Sequence, residues 1–147
     1  MRYLIVASLL LSCSLCLAED FPEDTNEIKS LTAEQAAELV AKSREGLFLT
    51  GLTSIDKDVA QELAKFEGSL SLRGLTSIDK DVAQELAKSK AYCLLLNGLT
   101  SIDKDVAQEL AKFKGSLYLN GLTSIDKEAL KILKANPKIL LPEKYRD

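Results

Sequence analysis

Four pairs of carboxylates recur along this chain of 147 residues, each with one residue between its members: Asp56/Asp58, Asp79/Asp81, Asp103/Asp105 and Asp126/Glu128. Stacked oxygen ligands of this kind suit calcium, and paired carboxyls can share acid–base work where their surroundings raise a pKa. Two features weigh against both. An EF-hand-like loop needs further oxygen ligands at set offsets, which the sequence lacks, and side chains on so polar a segment are exposed, with nothing to raise a pKa. In the competing reading the first Asp of each pair caps a helix and the second complements its dipole, which explains why the pair always stands at a helix start. The rest of the inventory is spare. There is no histidine, which removes Ser-His-Asp and Cys-His pairs and histidine-ligated metals. No glycine-rich loop leads into Lys-Ser/Thr at a helix start. The expectation is a protein that is not an enzyme, with no catalytic, cofactor-binding or metal-binding residues and no cofactor.

The elements that position these carboxylates are repeats. GLTSIDKDVAQELAK occurs three times unchanged, at 51–65, 74–88 and 98–112, and a fourth copy starts as GLTSID at 121 before drifting into KEALKILK. The starts are 23, 24 and 23 residues apart. A unit this short cannot bury its own apolar face, so stacked neighbours must cover it. Within one unit, Leu70-Ser71-Leu72 alternates as a short strand with one face in and one out. Gly74 allows a bend, and Leu75 and Ile78 pin the turn to the core. Asp79 caps a helix whose narrow apolar stripe is Val82, Ala83, Leu86 and Ala87. Phe66 and Phe113 close the returns from the helices, and Gly68 and Gly115 are read as residues just past a helix C-terminus. Glu62, Glu85 and Glu109 are read as a screened like-charge row on the outer face. The predicted fold class is an α/β solenoid, a stack of short parallel strands with one short helix per coil and about four to five coils.

The coils are not all alike. Where two of them have FEGSLSL and FKGSLYL, the third has SKAYCLLL, one residue longer and without Phe or Gly; Tyr92 is expected to swing in and fill the space of the missing ring. Residues 30–50 form an N-terminal cap coil, with Thr32 and Gln35 as a capping box. Residues 51–120 are three near-identical coils. Residues 121–142 are a C-terminal cap coil ending in a strand at Ile139-Leu140-Leu141, and 143–147 are a tail whose charges, with Pro142, blunt the last edge.

The beginning of the chain reads differently. Arg2, an apolar run over 4–18 and a small residue before the acidic EDFPED have the layout of a secretory signal, with cleavage after Ala18 and an acidic segment over 19–29. In an alternative reading, Leu10-Leu11-Ser12-Cys13 is a lipoprotein box with Cys13 lipidated. The apolar run is too short for a membrane span. Loss of Arg2 leaves 18 basic against 22 acidic side chains, a net charge of −4. No basic cluster marks a nucleic-acid footprint. Cys93 is then the single remaining cysteine, so no intramolecular disulfide forms. The expected location is outside the cytoplasm: periplasmic, at the cell surface or secreted.

The spacing Leu70-x-Leu72-x-x-Leu75-x-x-Ile78, recurring in register with a helix after it, resembles the leucine-rich repeat, in particular bacterial variants of 23 residues such as those of exported planctomycete-type proteins. The resemblance covers about 28–142. It departs from the common form where Leu52, Leu75, Leu99 and Leu122 replace the usual asparagine; Asn97 and Asn120 sit two residues earlier. The resemblance implies a scaffold that binds a protein or surface polymer through its concave sheet. The outward strand positions vary while the helices do not: Phe48 and Thr50 (with Gly46) in the first coil, then Ser69, Ser71 and Arg73, then Cys93, Leu95 and Asn97, then Ser116, Tyr118 and Asn120. Apolar or aromatic residues clustered on such a face suggest a partner contact. The alternative is a structural or self-assembling envelope component, since near-identical repeats make register exchange between chains cheap.

Overall fold

The computed structural model describes residues 25–146. The expected signal over 1–18, its cleavage after Ala18, the lipidation alternative at Cys13 and the acidic stretch over 19–24 lie outside the described residues.

Each Leu-x-Leu run becomes a strand, and each KDVAQEL run a helix. A short 3-10 turn at Thr25–Glu27 leads to α1 (Ala33–Lys42) and β1 (Gly46–Phe48). Next come α2 (Lys57–Leu63), β2 (Ser69–Ser71), α3 (Lys80–Ala87) and β3 (Cys93–Leu95). After β4 (Ser101–Ile102), α4 (Lys104–Leu110) and β5 (Ser116–Tyr118), the chain closes with β6 (Ser124–Ile125), α5 (Lys127–Lys134), β7 (Ile139–Leu140) and a 3-10 turn at Glu143–Tyr145. Strands β1, β2, β3, β5 and β7 form a five-stranded sheet in that order, every pair parallel. The molecule is thus α/β, a parallel sheet alternating with helices, and each helix packs against the next.

Register explains the core. Leu47, Leu70, Leu94, Leu117 and Ile139 pair across the sheet, each buried. One turn further, Leu52, Leu75, Leu99 and Leu122 make a second buried column. On the helix side Val59, Val82 and Val106 stand beside alanines 60, 83, 107 and 129, all buried. Burying one such leucine is worth about 2–3 kcal/mol relative to leaving it exposed. Alanine in the facing column lets successive helices approach as closely as the sheet requires.

The glycines have a different task from the one the local pattern suggested. No described residue has a positive φ, so Gly68 and Gly115 are not left-handed helix caps. A Cβ at Gly68 would stand 2.5 Å from the Glu45 carbonyl and 2.6 Å from the Phe66 ring, and one at Gly115 would stand 2.7 Å from the Ala91 carbonyl. The helices end instead in tight turns, as where the Phe66 and Phe113 N–H groups each bond the carbonyl three residues back. The bend glycines are tighter still: a Cβ would lie 2.3 Å from the Thr50 carbonyl at Gly74, 2.0 Å from the Arg73 carbonyl at Gly98 and 1.7 Å from the Asn97 carbonyl at Gly121. Glycine is needed there for close approach between units.

Two further local expectations are corrected. Tyr92 does not fill the space of the missing phenylalanine; it is 62% exposed, and Ser89 and Ala91 are buried in that return. The Ser89 N–H bonds the Leu86 carbonyl at 3.1 Å, so Ser89 takes the backbone place of Phe66 and Phe113 and leaves Tyr92 on the outer side. Two of the four Ser-Ile stretches, read as bends, also pair, as β4 with β6 in a two-stranded parallel sheet. The caps match the pattern: Thr32 and Gln35 form the capping box, and β7 supplies the last strand. The tail docks rather than trailing, with the Tyr145 hydroxyl donating to the Thr123 carbonyl at 3.1 Å and Arg146 Nε to the Leu141 carbonyl at 2.7 Å.

Gly98→Ala is expected to destabilise the protein by about 1–3 kcal/mol, because backbone from the neighbouring unit must shift to admit the methyl group. Urea unfolding would show it as a lower midpoint, with Thr100→Ala as an exposed control within about 0.5 kcal/mol.

Candidate functional site

The sheet face opposite the helices collects most of the variable strand positions. Phe48, Ser71, Leu95, Tyr118 and Leu140 lie in register, one per strand. Phe48 is 51% exposed, while Leu95, Tyr118 and Leu140 are half-buried. Ser71 departs from the expectation of an outward contact: it is only 2% exposed. Its small side chain lies between Phe48 and Leu95 of the adjacent strands, which take up the space around it. The parallel row Gly46, Ser69, Cys93 and Ser116 is half-buried throughout. Phe48 itself leans back along its strand, since a Cβ at Gly46 would meet the ring at 2.8 Å. Leu140 was missing from the expected set, although the alternation Ile139-Leu140-Leu141 already placed it on this face.

The row at the strand ends is partly committed to the fold. The Thr50 hydroxyl donates to the Asn26 carboxamide oxygen at 2.8 Å. The Asn120 N–H donates to the Asn97 side-chain oxygen at 3.0 Å, and Arg146 reaches the Asn120 side chain at 3.5 Å. These residues tie one unit to the next, so their part in any partner contact is smaller than their outward position suggested. Arg73 stands exposed in the middle of that row. The face is therefore an apolar rank with Phe48 as its most accessible member and Arg73 beside it.

The carboxylate pairs act as caps and tethers. Asp56, Asp79 and Asp103 each accept the backbone N–H three residues on at 2.8 Å, and Asp126 does so at 2.7 Å. Two of the second members reach sideways: Asp105 lies 4.0 Å from Lys80, and Glu128 lies 2.6 Å from Lys104. The hydrogen bond and charge of Glu128 raise the Lys104 pKa above its ordinary value. At the first helix, Glu34 is held below the usual carboxylate value by its own backbone N–H and then by the Thr32 hydroxyl. Glu62, Glu85 and Glu109 are not a freely solvated row. Each is largely covered and paired with the lysine three residues on, at 2.7, 3.0 and 2.8 Å respectively. Among the described residues no three His, Cys, Asp or Glu side chains converge as metal ligands, and no helix is long and apolar enough to cross a membrane.

A scan of protein-family models, a search of curated proteins and a search of solved structures each returned no match for this chain.

Asp103→Ala is expected to cost about 1 kcal/mol by loss of its cap, whereas Asp105→Ala, an exposed surface change, stays within about 0.5 kcal/mol. In the same urea titrations, added calcium is expected to leave the parent midpoint unchanged; a calcium-dependent rise lost in Asp103→Ala would restore the ligand reading of the pairs.

Proposed function

We propose that this protein is a non-catalytic, exported binding scaffold of the leucine-rich-repeat kind, a short solenoid that holds another protein or a surface polymer on its concave sheet. The observation that supports this best is the register of Phe48, Leu95, Tyr118 and Leu140 on one sheet face, at positions where the units differ in sequence while their helices are copied unchanged. A half-covered apolar rank around one exposed aromatic suits the central anchor of an interface, with Arg73 able to contribute at its rim. On the helix side, Glu62, Glu85 and Glu109 are already paired with their own lysines, and Asp79 and Asp103 with helix backbone. Export, with the mature chain beginning at Glu19, belongs to the same proposal and rests on the sequence of the first 18 residues.

The deciding experiment is capture from extracts and cell surfaces of the source organism, using the chain from Glu19 as bait beside a Phe48→Ser/Leu95→Ser/Tyr118→Ser variant whose circular dichroism matches the parent. A ligand retained by the parent and lost by the variant is the expected result. Equal retention by both would move the interface off the sheet face. The start at Glu19 is checked by the intact mass of the exported product; a lipid-modified Cys13 would replace that part of the proposal.

A further inference from the structure

Charge is distributed unevenly around the sheet. Each of the five strands offers three outward positions: one at or just before its start, one in the middle row and one just past its end. No aspartate or glutamate occupies any of them. The chain has 22 acidic residues against 19 basic ones and a net charge of −3, so an acid-free face is an exception on this molecule. Two of the outward positions are cationic, Arg73 and Lys138. Arg146 adds a third charge at the edge, where it reaches the Asn120 side chain at 3.5 Å. Lys138 donates to the Lys114 carbonyl at 2.7 Å and Arg146 Nε to the Leu141 carbonyl at 2.7 Å. Those carbonyls are neutral, so both side chains are positioned with their charge uncompensated.

Arg73 is the most available of the three. It is exposed, and among the described residues it makes no ion pair, Glu27 and Glu143 at the same end of the sheet included. The acids at the other end are out of reach. Glu67 is paired with Lys90 at 3.3 Å. Glu45 stands opposite Gly68 in the strand register, five residues from Arg73. That is about 16 Å along the sheet, or roughly twice the Debye length at physiological salt. Two residues from Arg73 on the same strand, Ser71 lies covered between Phe48 and Leu95. An apolar patch and an unpaired guanidinium thus stand about 6–7 Å apart, the repeat of alternate residues in an extended chain.

We propose that the sheet face recognises an extended, acidic protein segment, in which an apolar side chain packs on Phe48 and Leu95 over Ser71 and an aspartate or glutamate two residues away pairs with Arg73. This rests on the binding role proposed above and names the class of partner. The apolar contact supplies the anchor and the charge pair the selectivity, since a carboxylate accepts two parallel bonds from a guanidinium. A neutral polymer laid over the face would strip water from Arg73 and return no charge. A continuous polyanion fits less well, because the three cations are separated by an apolar rank and the whole chain is acidic.

The test is selection of a displayed library of random linear peptides on the chain from Glu19. Selected peptides are then titrated against the parent and against variants whose circular dichroism matches it. Expected is enrichment of peptides with a carboxylate two residues from an apolar side chain. Their affinity should fall at least about tenfold in Phe48→Ser and in Arg73→Glu, but not in Lys127→Glu, a change at an exposed lysine of α5. Replacing the peptide carboxylate with lysine should restore binding to Arg73→Glu, a compensation that a folding defect cannot imitate. Peptides that depend on Phe48 but ignore Arg73→Glu and show no carboxylate preference would overturn the acidic partner and leave the sheet-face role standing. Peptides indifferent to both variants would overturn both proposals, and an empty selection would overturn the linear segment. Dextran sulfate binding more tightly than any peptide, and losing its affinity in Arg73→Glu, would replace the protein segment with a polyanionic polymer.

Discussion

Successive units of this protein must stand one strand spacing apart, and at that spacing there is no room for a side chain at the bend. At Gly74, Gly98 and Gly121 a Cβ would fall between 1.7 and 2.3 Å from a carbonyl of the preceding unit. Backbone approach at this column lets the five strands hydrogen-bond in register, and that register lines leucine against leucine from one end to the other. The alanines on the inner face of the helices answer the same requirement on the other side of the core. Because each unit presents the same surfaces to both neighbours, a residue that packs well against its own copy serves at every level of the stack. The three unchanged copies of fifteen residues are compatible with this packing without strain.

Repetition brings an electrostatic difficulty, since identical units place like charges above one another. It is relieved within and between units. Each first Asp faces the free N–H groups of its own helix, where a negative charge is favoured. Each outer Glu is met by the lysine one turn on, and Asp105 and Glu128 lean toward lysines of the preceding unit. Individually these surface pairs contribute little, but they offset the repeated charges of Glu62, Glu85 and Glu109. The sheet face, with Phe48 exposed and Leu95, Tyr118 and Leu140 half-covered, is where side-chain variation has no such internal partner. The apolar rank and the paired charges thus fall on opposite sides of the sheet.

The units that differ from the rest are informative in proportion to what they leave out. The ends gain polar closures: a capping box at Thr32, a hydroxyl at Thr25 and a docked tail through Tyr145 and Arg146. The third unit loses a phenylalanine, and the extra residue in its return is absorbed by a serine-closed turn.

Much of the architecture was legible in the residues alone. Period, strand alternation, the Asp caps, the capping box and the five strands of the main sheet all depend on local chemistry or on a pattern that repeats, and local chemistry does not change when neighbours arrive. What required the tertiary structure was every property that belongs to two units at once. Ser71 is covered only because Phe48 and Leu95 flank it; Asn97 and Asn120 serve each other across a unit boundary; the glycines answer to a neighbour's carbonyl rather than to their own φ; Tyr92 turns outward because Ser89 occupies the backbone place from which a ring points inward. The apolar rank on the sheet was readable as a list of residues, but its exposure was not, since burial depends on the size of the side chains standing one strand away.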